Sequence, residues 1–424
     1  MAKADCSLAP RLPIKELPMH RFSLARTVVV LLLAVAPAWA DIPDNTLKIG
    51  VLNDMSGPLA DVSGPGSVIA AQMAADDFAR EAGPGAPKVV IVSGDHQNKA
   101  DVGASITRKW IDRDGVTAVV DLPNSAVALA VNQIMREKDR TNLASSVAVS
   151  DLTGPQCAPT TVQWTFDTWA LANGTGRTLV QQGGKSWFFL ASDFVLGQAM
   201  VRDVGAVVRK AGGEVVGDVR MPLGAPDMAS YLLQAQSSGA QVIGIGNAGN
   251  DVINTVKQAS EFGVGRDGKQ RLAGLLVFLT DIRGMGLQAA QGLIVTEAFY
   301  WDLNDSTRAW SKRFAGRDGG KMPTMDHAGV YSSVLAYLRA ATAIRSVSGT
   351  AVVAKMREAP IKDPLFGQVT IRPDGRAIHP MYIFQVKAPA ESKGDYDFYN
   401  LVATVPADQA FRPMSEGGCP LVAH

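Results

Sequence analysis

LKIGVLNDMSGPLADVSGPGSVIAAQMAADDFAREAG, residues 47–83, decides the fold. Leu47, Ile49 and Val51 alternate with Lys48 and Gly50 as a short β-strand does, and residues 53–66 are dense in Gly, Pro, Ser and Asp, the composition of a loop. A helix follows. Ala70, Met73, Ala74 and Phe78 share one apolar stripe, with Gln72, Asp76 and Arg80 opposite it and Asp76 and Arg80 spaced to pair. Strand, polar loop and helix open an α/β domain. In an open parallel sheet such a loop lies at the carboxyl end of the strand, where the next helix offers unpaired N–H groups to a ligand.

Upstream, residues 19–40 read MHRFSLARTVVVLLLAVAPAWA: Arg21 and Arg26, an apolar run over 28–35, then Ala38-Trp39-Ala40. That order is a secretory signal peptide, cleaved after Ala40, and the apolar run is too short to span a bilayer. A periplasmic location is expected, with residues 1–18 as an upstream start. Removing 40 of 424 residues leaves about 384, more than one core usually holds, so two lobes are expected.

The formal net charge is +1 and basic residues do not cluster, which excludes nucleic acid and anionic membrane surfaces as natural partners. Cys157 and Cys419 are the cysteines of the mature chain, an even pair in an oxidising compartment. A disulfide between them is expected; two free thiols are the alternative, since sequence does not report their separation.

Strands and helices alternate along the mature chain. Strands are expected at 88–93, 117–122 and 142–149, with helices at 100–111 and 126–136. An aromatic passage at 164–169 precedes a helix at 170–182. A second set has strands at 186–192, 214–221, 241–246 and 272–281, interleaved with helices at 197–211, 227–237 and 250–262. A strand at 292–301, helices at 306–315 and 327–344, and a hairpin of 366–371 with 381–386 about Pro373-Asp374-Gly375 complete the pattern. The fold class is α/β, two doubly wound Rossmann-like lobes in succession.

Four stretches together resemble the periplasmic solute-binding proteins of the branched-chain amino acid type, which serve ABC importers. They are KIGVLNDMSGPLA (48–60), TAVVDLPNSAVALA (117–130), GLIVTEAF (292–299) and FGQVTIRPDGRAIHPMYIFQV (366–386). The resemblance implies a type I periplasmic binding fold: two lobes joined by three hinge crossings, near Trp164, near Gly292 and between Ala359 and Phe366. Residues 41–164 with 293–360 would form the first lobe, and 165–292 with 361–424 the second. It implies a monomer that hands a small solute, unaltered and without cofactor or metal, to an ABC permease in the inner membrane.

The polar strand-end loops are the expected site: Asp61, Ser63, Asn124, Ser125, Ser146, Val147, Ala148, Phe166, Phe194, Asn247, Thr280 and Asp281. By the resemblance, the loops at Asn124-Ser125 and 146–148 hold a ligand carboxylate through hydroxyls and backbone N–H groups. Ala148 stands where amino acid binders carry Thr, and Thr280-Asp281 lies near an acid that would pair an ammonium. Phe166, Trp169 and Phe194 could flank a ring. The solute class is therefore an aromatic or aliphatic acid, or an amino acid or amide.

Two other readings are available. A ligand-sensing protein partnering a membrane receptor shares this two-lobe plan. Gly244-Ile245-Gly246-Asn247-Ala248-Gly249 fits the G-x-G-x-x-G of NAD-dependent dehydrogenases, yet Asp281 lies 32 positions beyond Gly249 rather than about 20. A tight turn allowing close approach of a helix is the plainer reading. His96, His327 and His379 lack metal spacing, and His327 is expected to be structural.

Overall fold

In the computed structural model, which describes residues 41–265 and 270–422, the opening strand β1 (Thr46–Asn53) fully buries Leu47, Ile49 and Val51. Gly50 is required there: a Cβ would run into the Trp110 ring that the helix Ala100–Asp112 lays on the strand. The helix Gly64–Ala82 buries Ala70, Met73, Ala74 and Phe78 as its spacing predicts. Asp76 pairs with Arg317, 2.8 Å away, rather than with Arg80, which turns to Asp77. The expected signal peptide and its cleavage after Ala40 lie outside the described residues.

Four more strands join β1: β2 (Lys88–Asp95), β3 (Ala118–Asp121), β4 (Thr141–Ala144) and β5 (Thr161–Gln163). All are parallel, in the order β2-β1-β3-β4-β5, with Ile49 between Ile91 and Ala118. The next set, β6 (Ser186–Ser192), β7 (Glu214–Met221), β8 (Val242–Gly246), β9 (Arg271–Gly274) and β10 (Ile294–Glu297), repeats that winding as β7-β6-β8-β9-β10, again parallel. A small antiparallel sheet follows, of β11 (Ile361–Asp363), β12 (Gly367–Ile371) and β13 (Ala377–Ile378). Then β14 (Met381–Val386) and β15 (Tyr399–Val405) add antiparallel to β10 at the edge of the second sheet. Two lobes with one strand order are thus present, each with its switch point between its first and third strand.

Several boundaries differ from the sequence reading, each for a tertiary reason. Residues 145–149 continue β4 in hydropathy but leave the sheet, because they form the loop that faces the other lobe. In LAGLLVFLTD only Leu272, Ala273 and Gly274 are strand; Leu275, Leu276 and Val277 are buried in a bend and a helix begins at Leu279. The Pro373-Asp374-Gly375 turn pairs β12 with the short β13, and β14 departs to the second sheet. Because β10 belongs to the second sheet, the chain crosses back after Glu297 rather than near Gly292. The helix expected at 170–182 spans 168–181 and loosens into a π-turn at Ala172–Gly176.

The hinge is held by buried polar groups. Arg376, fully buried, donates to the carbonyls of Trp164 (2.6 Å), Phe166 (2.9 Å) and Ala377 (3.0 Å), faces Asp167 at 3.5 Å and lies over the Phe411 ring. The Trp164 indole donates to Ser332 on the helix Met325–Ile344, which is buried along most of its length. After β15 the tail touches both lobes. Asn173 donates to the Gln409 carbonyl and Arg412 to the Ser150 carbonyl, and Cys419 is joined to Cys157 by a disulfide with Cα atoms 5.7 Å apart.

Candidate functional site: a cleft between the lobes

Open parallel sheets present ligands with the loops beyond their strand ends at the switch point. Here the loops of the two sheets face each other. From the first lobe come Leu59 after β1, Asn98 after β2, Pro123 and Asn124 after β3, and Ser146 and Ala148 after β4. From the second come Phe194 and Leu196 after β6, Leu223 after β7, Ala248 after β8, and Leu276 and Phe278 after β9. Asp326, at the start of the helix Met325–Ile344, completes the lining.

One carboxylate shapes the first-lobe wall. Asp54 accepts from the N–H groups of Gly57 (2.7 Å) and Leu59 (2.9 Å) and from Asn98 Nδ2 (2.7 Å). The chain continues: Asn124 Nδ2 donates to Asn98 Oδ1 at 3.4 Å, and Asn124 Oδ1 caps the helix Ser125–Glu137 by accepting from Ala126 and Val127. His96 Nδ1 accepts the Asn98 N–H, and burial holds this imidazole down to about 4, hence neutral.

Behind that wall the backbone is strained. Asp121 and Leu122 have φ of 88° and 67°, the left-handed region that non-glycine residues avoid. Such strain persists only where surrounding bonds hold it and gathers at ligand sites. Here the Asp121 carbonyl accepts the Ser146 N–H and the Leu122 N–H donates to Leu52. The Asp121 carboxyl accepts Asn53 Nδ2 at 2.8 Å beside Ser146 and Ser67, and burial pushes it up to about 6.

The second-lobe wall is apolar. Phe278 meets Phe166 edge-on at 6.1 Å, and Leu223, 45% exposed, stands at the mouth. The lobes touch: Asn250 N–H donates to the Pro58 carbonyl at 3.4 Å, and Gly249, at φ +60°, packs so close that a Cβ would strike that oxygen. The cleft leaves a free interior of only about 20 Å³, roughly one water. The lobes are closed, and admitting a solute requires them to part.

Of the residues expected from sequence, Asn124, Ser146, Ala148 and Phe194 meet in this lining. Ser125 and Val147 are buried immediately behind it, and Phe166 backs Phe278. Asp61 is exposed and faces Lys321 at 3.8 Å. The Ser63 hydroxyl donates to the Leu59 carbonyl, and its own carbonyl meets His327 Nε2 at 2.8 Å. Asn247 donates to Thr255 at 3.1 Å. Thr280 sits in the first turn of the helix Leu279–Met285, where Asp281 caps the start by accepting the Phe278 N–H at 2.9 Å. Asn98, Leu276, Phe278 and Asp326 were missed. Leu276 and Phe278 lie inside a run that reads as strand, and Asp326 lies one residue before the helix expected at 327–344.

Gly244 and Gly246 also find their place: a Cβ on Gly244 would press the Phe189 ring at 2.7 Å, and one on Gly246 would crowd Ala191 at 3.2 Å. With Gly249 against Pro58, the G-x-G-x-x-G spacing follows from packing.

Two lobes of like winding, closing their strand-end loops on one cleft, define a solute-binding clamshell. The chain belongs to the periplasmic binding protein family, whose model matches residues 46–395. It is 42% identical to a periplasmic binding protein from Burkholderia mallei, whose structure superposes with a TM-score of 0.85 over 89% of this chain and 99% of that one. It is 38% identical to a branched-chain amino acid ABC transporter periplasmic ligand-binding protein from Burkholderia xenovorans LB400, with a TM-score of 0.78 over 88% and 99%. A Leu/Ile/Val-binding protein homolog from Brucella melitensis is 25% identical over 271 residues, 63% of this chain and 67% of its own. This is a family of ABC-importer solute-binding proteins rather than of enzymes, and its members deliver small solutes to ABC permeases.

Proposed function

We propose that this protein captures a small, carboxylate-bearing solute in the cleft between its lobes, in the periplasm, and presents it unaltered to an inner-membrane ABC permease. The observation that carries the reading is the facing of equivalent strand-end loops from two sheets of the same order across one cleft. Closure then draws its energy from contacts a solute makes to both walls, so affinity measures differential binding to the closed form. Asn124 and Ser146 offer polar contacts on one wall, and Phe194, Leu276 and Phe278 enclose the apolar part from the other.

A thermal-shift screen of amino acids, aliphatic and aromatic acids and amides tests this, because a solute bound to the folded form raises the melting temperature by mass action. With any compound so found, Ser146→Ala should weaken calorimetric affinity by about tenfold or more, the cost of one hydrogen bond to a charged group. No shift across the screen, with scattering curves unchanged, would overturn the reading.

A further inference from the structure

Beyond β15 the chain passes between the lobes once more. The tail leaves the second lobe after Val405, and Ala410 and Phe411 are buried. The Gln409 carbonyl accepts from Asn173 of the second lobe at 2.7 Å. Phe411 holds the Arg376 guanidinium 4.2 Å from its ring centre and meets the His379 ring edge-on at 5.2 Å, so this point of the tail is seated on the hinge. Arg412 continues toward the first lobe: its carbonyl accepts from Arg372 at 2.8 Å, and its guanidinium donates to the Ser150 carbonyl at 3.0 Å. Cys419, fully buried, is then bonded to Cys157.

The first-lobe segment that receives the tail also carries a cleft wall. Ser146 and Ala148 line the cleft, and Ser150, Gly154 and Cys157 follow them between β4 and β5. The packing is close: a Cβ on Gly154 would stand 2.8 Å from both Arg412 Nη2 and the Gly417 carbonyl oxygen. The same segment touches the second lobe directly. Ser150 Oγ donates to Asp203 at 2.6 Å and Asp151 pairs with Arg202 at 3.1 Å, both partners on the helix Val195–Lys210. Hydrogen bonds and partly exposed ion pairs are weak enough to break as lobes part, whereas a covalent bond is not.

We propose that the C-terminal tail is a further crossing of the hinge, fastened by Cys157–Cys419, and that this strap limits how far the lobes open. Only residues 412–418 lie between the Phe411 anchor and the disulfide, and drawing the lobes apart there straightens the turn Met414–Glu416 and pulls Arg412 from Ser150. Restricting the open form leaves a larger fraction of the protein near closure, and a solute that binds the closed form gains affinity in proportion. The strap requires lobes that move but no particular solute, so the free protein tests it.

The test is small-angle scattering of the full mature chain without solute, at a temperature where circular dichroism shows each form folded. The strap is released in two ways. One is Cys157→Ala/Cys419→Ala, compared with the wild type. In the other, residues 413–416, of which Ser415 and Glu416 are exposed, are replaced by a factor Xa recognition sequence of equal length, and the folded, disulfide-bonded protein is cut there and compared with its uncut form. The cut keeps the disulfide and the Phe411 contacts and removes only the continuity of the chain. Both releases should increase the radius of gyration and the maximum dimension over their references. An increase in neither folded form, or in only one of them, would overturn the strap and leave the disulfide a contribution to stability alone. If the double variant does not fold, the cut protein decides by itself. A thermal-shift screen without hits would overturn solute capture and leave this measurement unaffected.

Discussion

The Pro58 carbonyl accepts the Asn250 N–H at 3.4 Å, joining a loop of the first lobe to the N-terminus of a helix in the second. The contact exists only while the lobes are closed, and Gly249 makes it possible. Gly249→Ala should therefore disfavour closure and weaken solute affinity about tenfold or more, each tenfold being about 1.4 kcal/mol. Gly286 is the control: it too has positive φ, +81°, with nothing within 4 Å of an added Cβ. Calorimetry and small-angle scattering should show lost affinity and a more open form for Gly249→Ala only; equal effects at both positions would reduce the contact to backbone strain.

His327 should act as a neutral structural imidazole. Its Nδ1 accepts the Thr324 N–H, its Nε2 meets the Ser63 carbonyl, and its ring stacks on Phe314 at 4.9 Å. Burial depresses it to about 4. The folded value lies below the unfolded one of about 6.5, so the stability it contributes is complete above pH 6.5 and is lost as pH falls toward 4, a loss of about 3 kcal/mol. The stability difference between wild type and His327→Gln, measured by urea denaturation, should shrink over that window. Asp121 and Asp281, raised to about 6 and about 8, push the absolute curve the other way, and the difference between variants removes them.

Removing Arg376 should strike the hinge. Three carbonyls would each lose a donor, although the Trp164 carbonyl also meets His379 Nε2 at 3.0 Å, and Asp167 would lose its counter-charge in a dry environment. Arg376→Ala should cost about 3–5 kcal/mol of unfolding free energy, read from denaturant midpoints. A cost below about 1 kcal/mol would show that water replaces the guanidinium.

The Cys157–Cys419 bond closes a loop of 262 residues and ties the tail, which follows the last strand of the second sheet, to the first lobe. Dithiothreitol should lower stability by about 2–5 kcal/mol. The double variant Cys157→Ala/Cys419→Ala should match the reduced protein and ignore the reductant. A wild-type midpoint insensitive to reduction would contradict this.

Local pattern was enough to indicate the α/β class and the order of most strands and helices, and it offered the Cys157–Cys419 pair as an expectation that only the folded chain, with their Cα atoms 5.7 Å apart, decides. Class and element order depend on alternation and turn composition, which neighbouring residues carry. Where a run stays apolar for another reason, the sequence misleads: Leu276 and Phe278 read as strand but are a cleft wall, and 145–149 leave the sheet to face the other lobe. Which acid meets the cleft was beyond sequence altogether. Asp281 and Asp326 both open helices, and only the three-dimensional packing turns one toward the Phe278 N–H and leaves the other lining the cleft without a hydrogen-bond partner among the described residues, because the orientation of a side chain is decided by the fold and not by spacing.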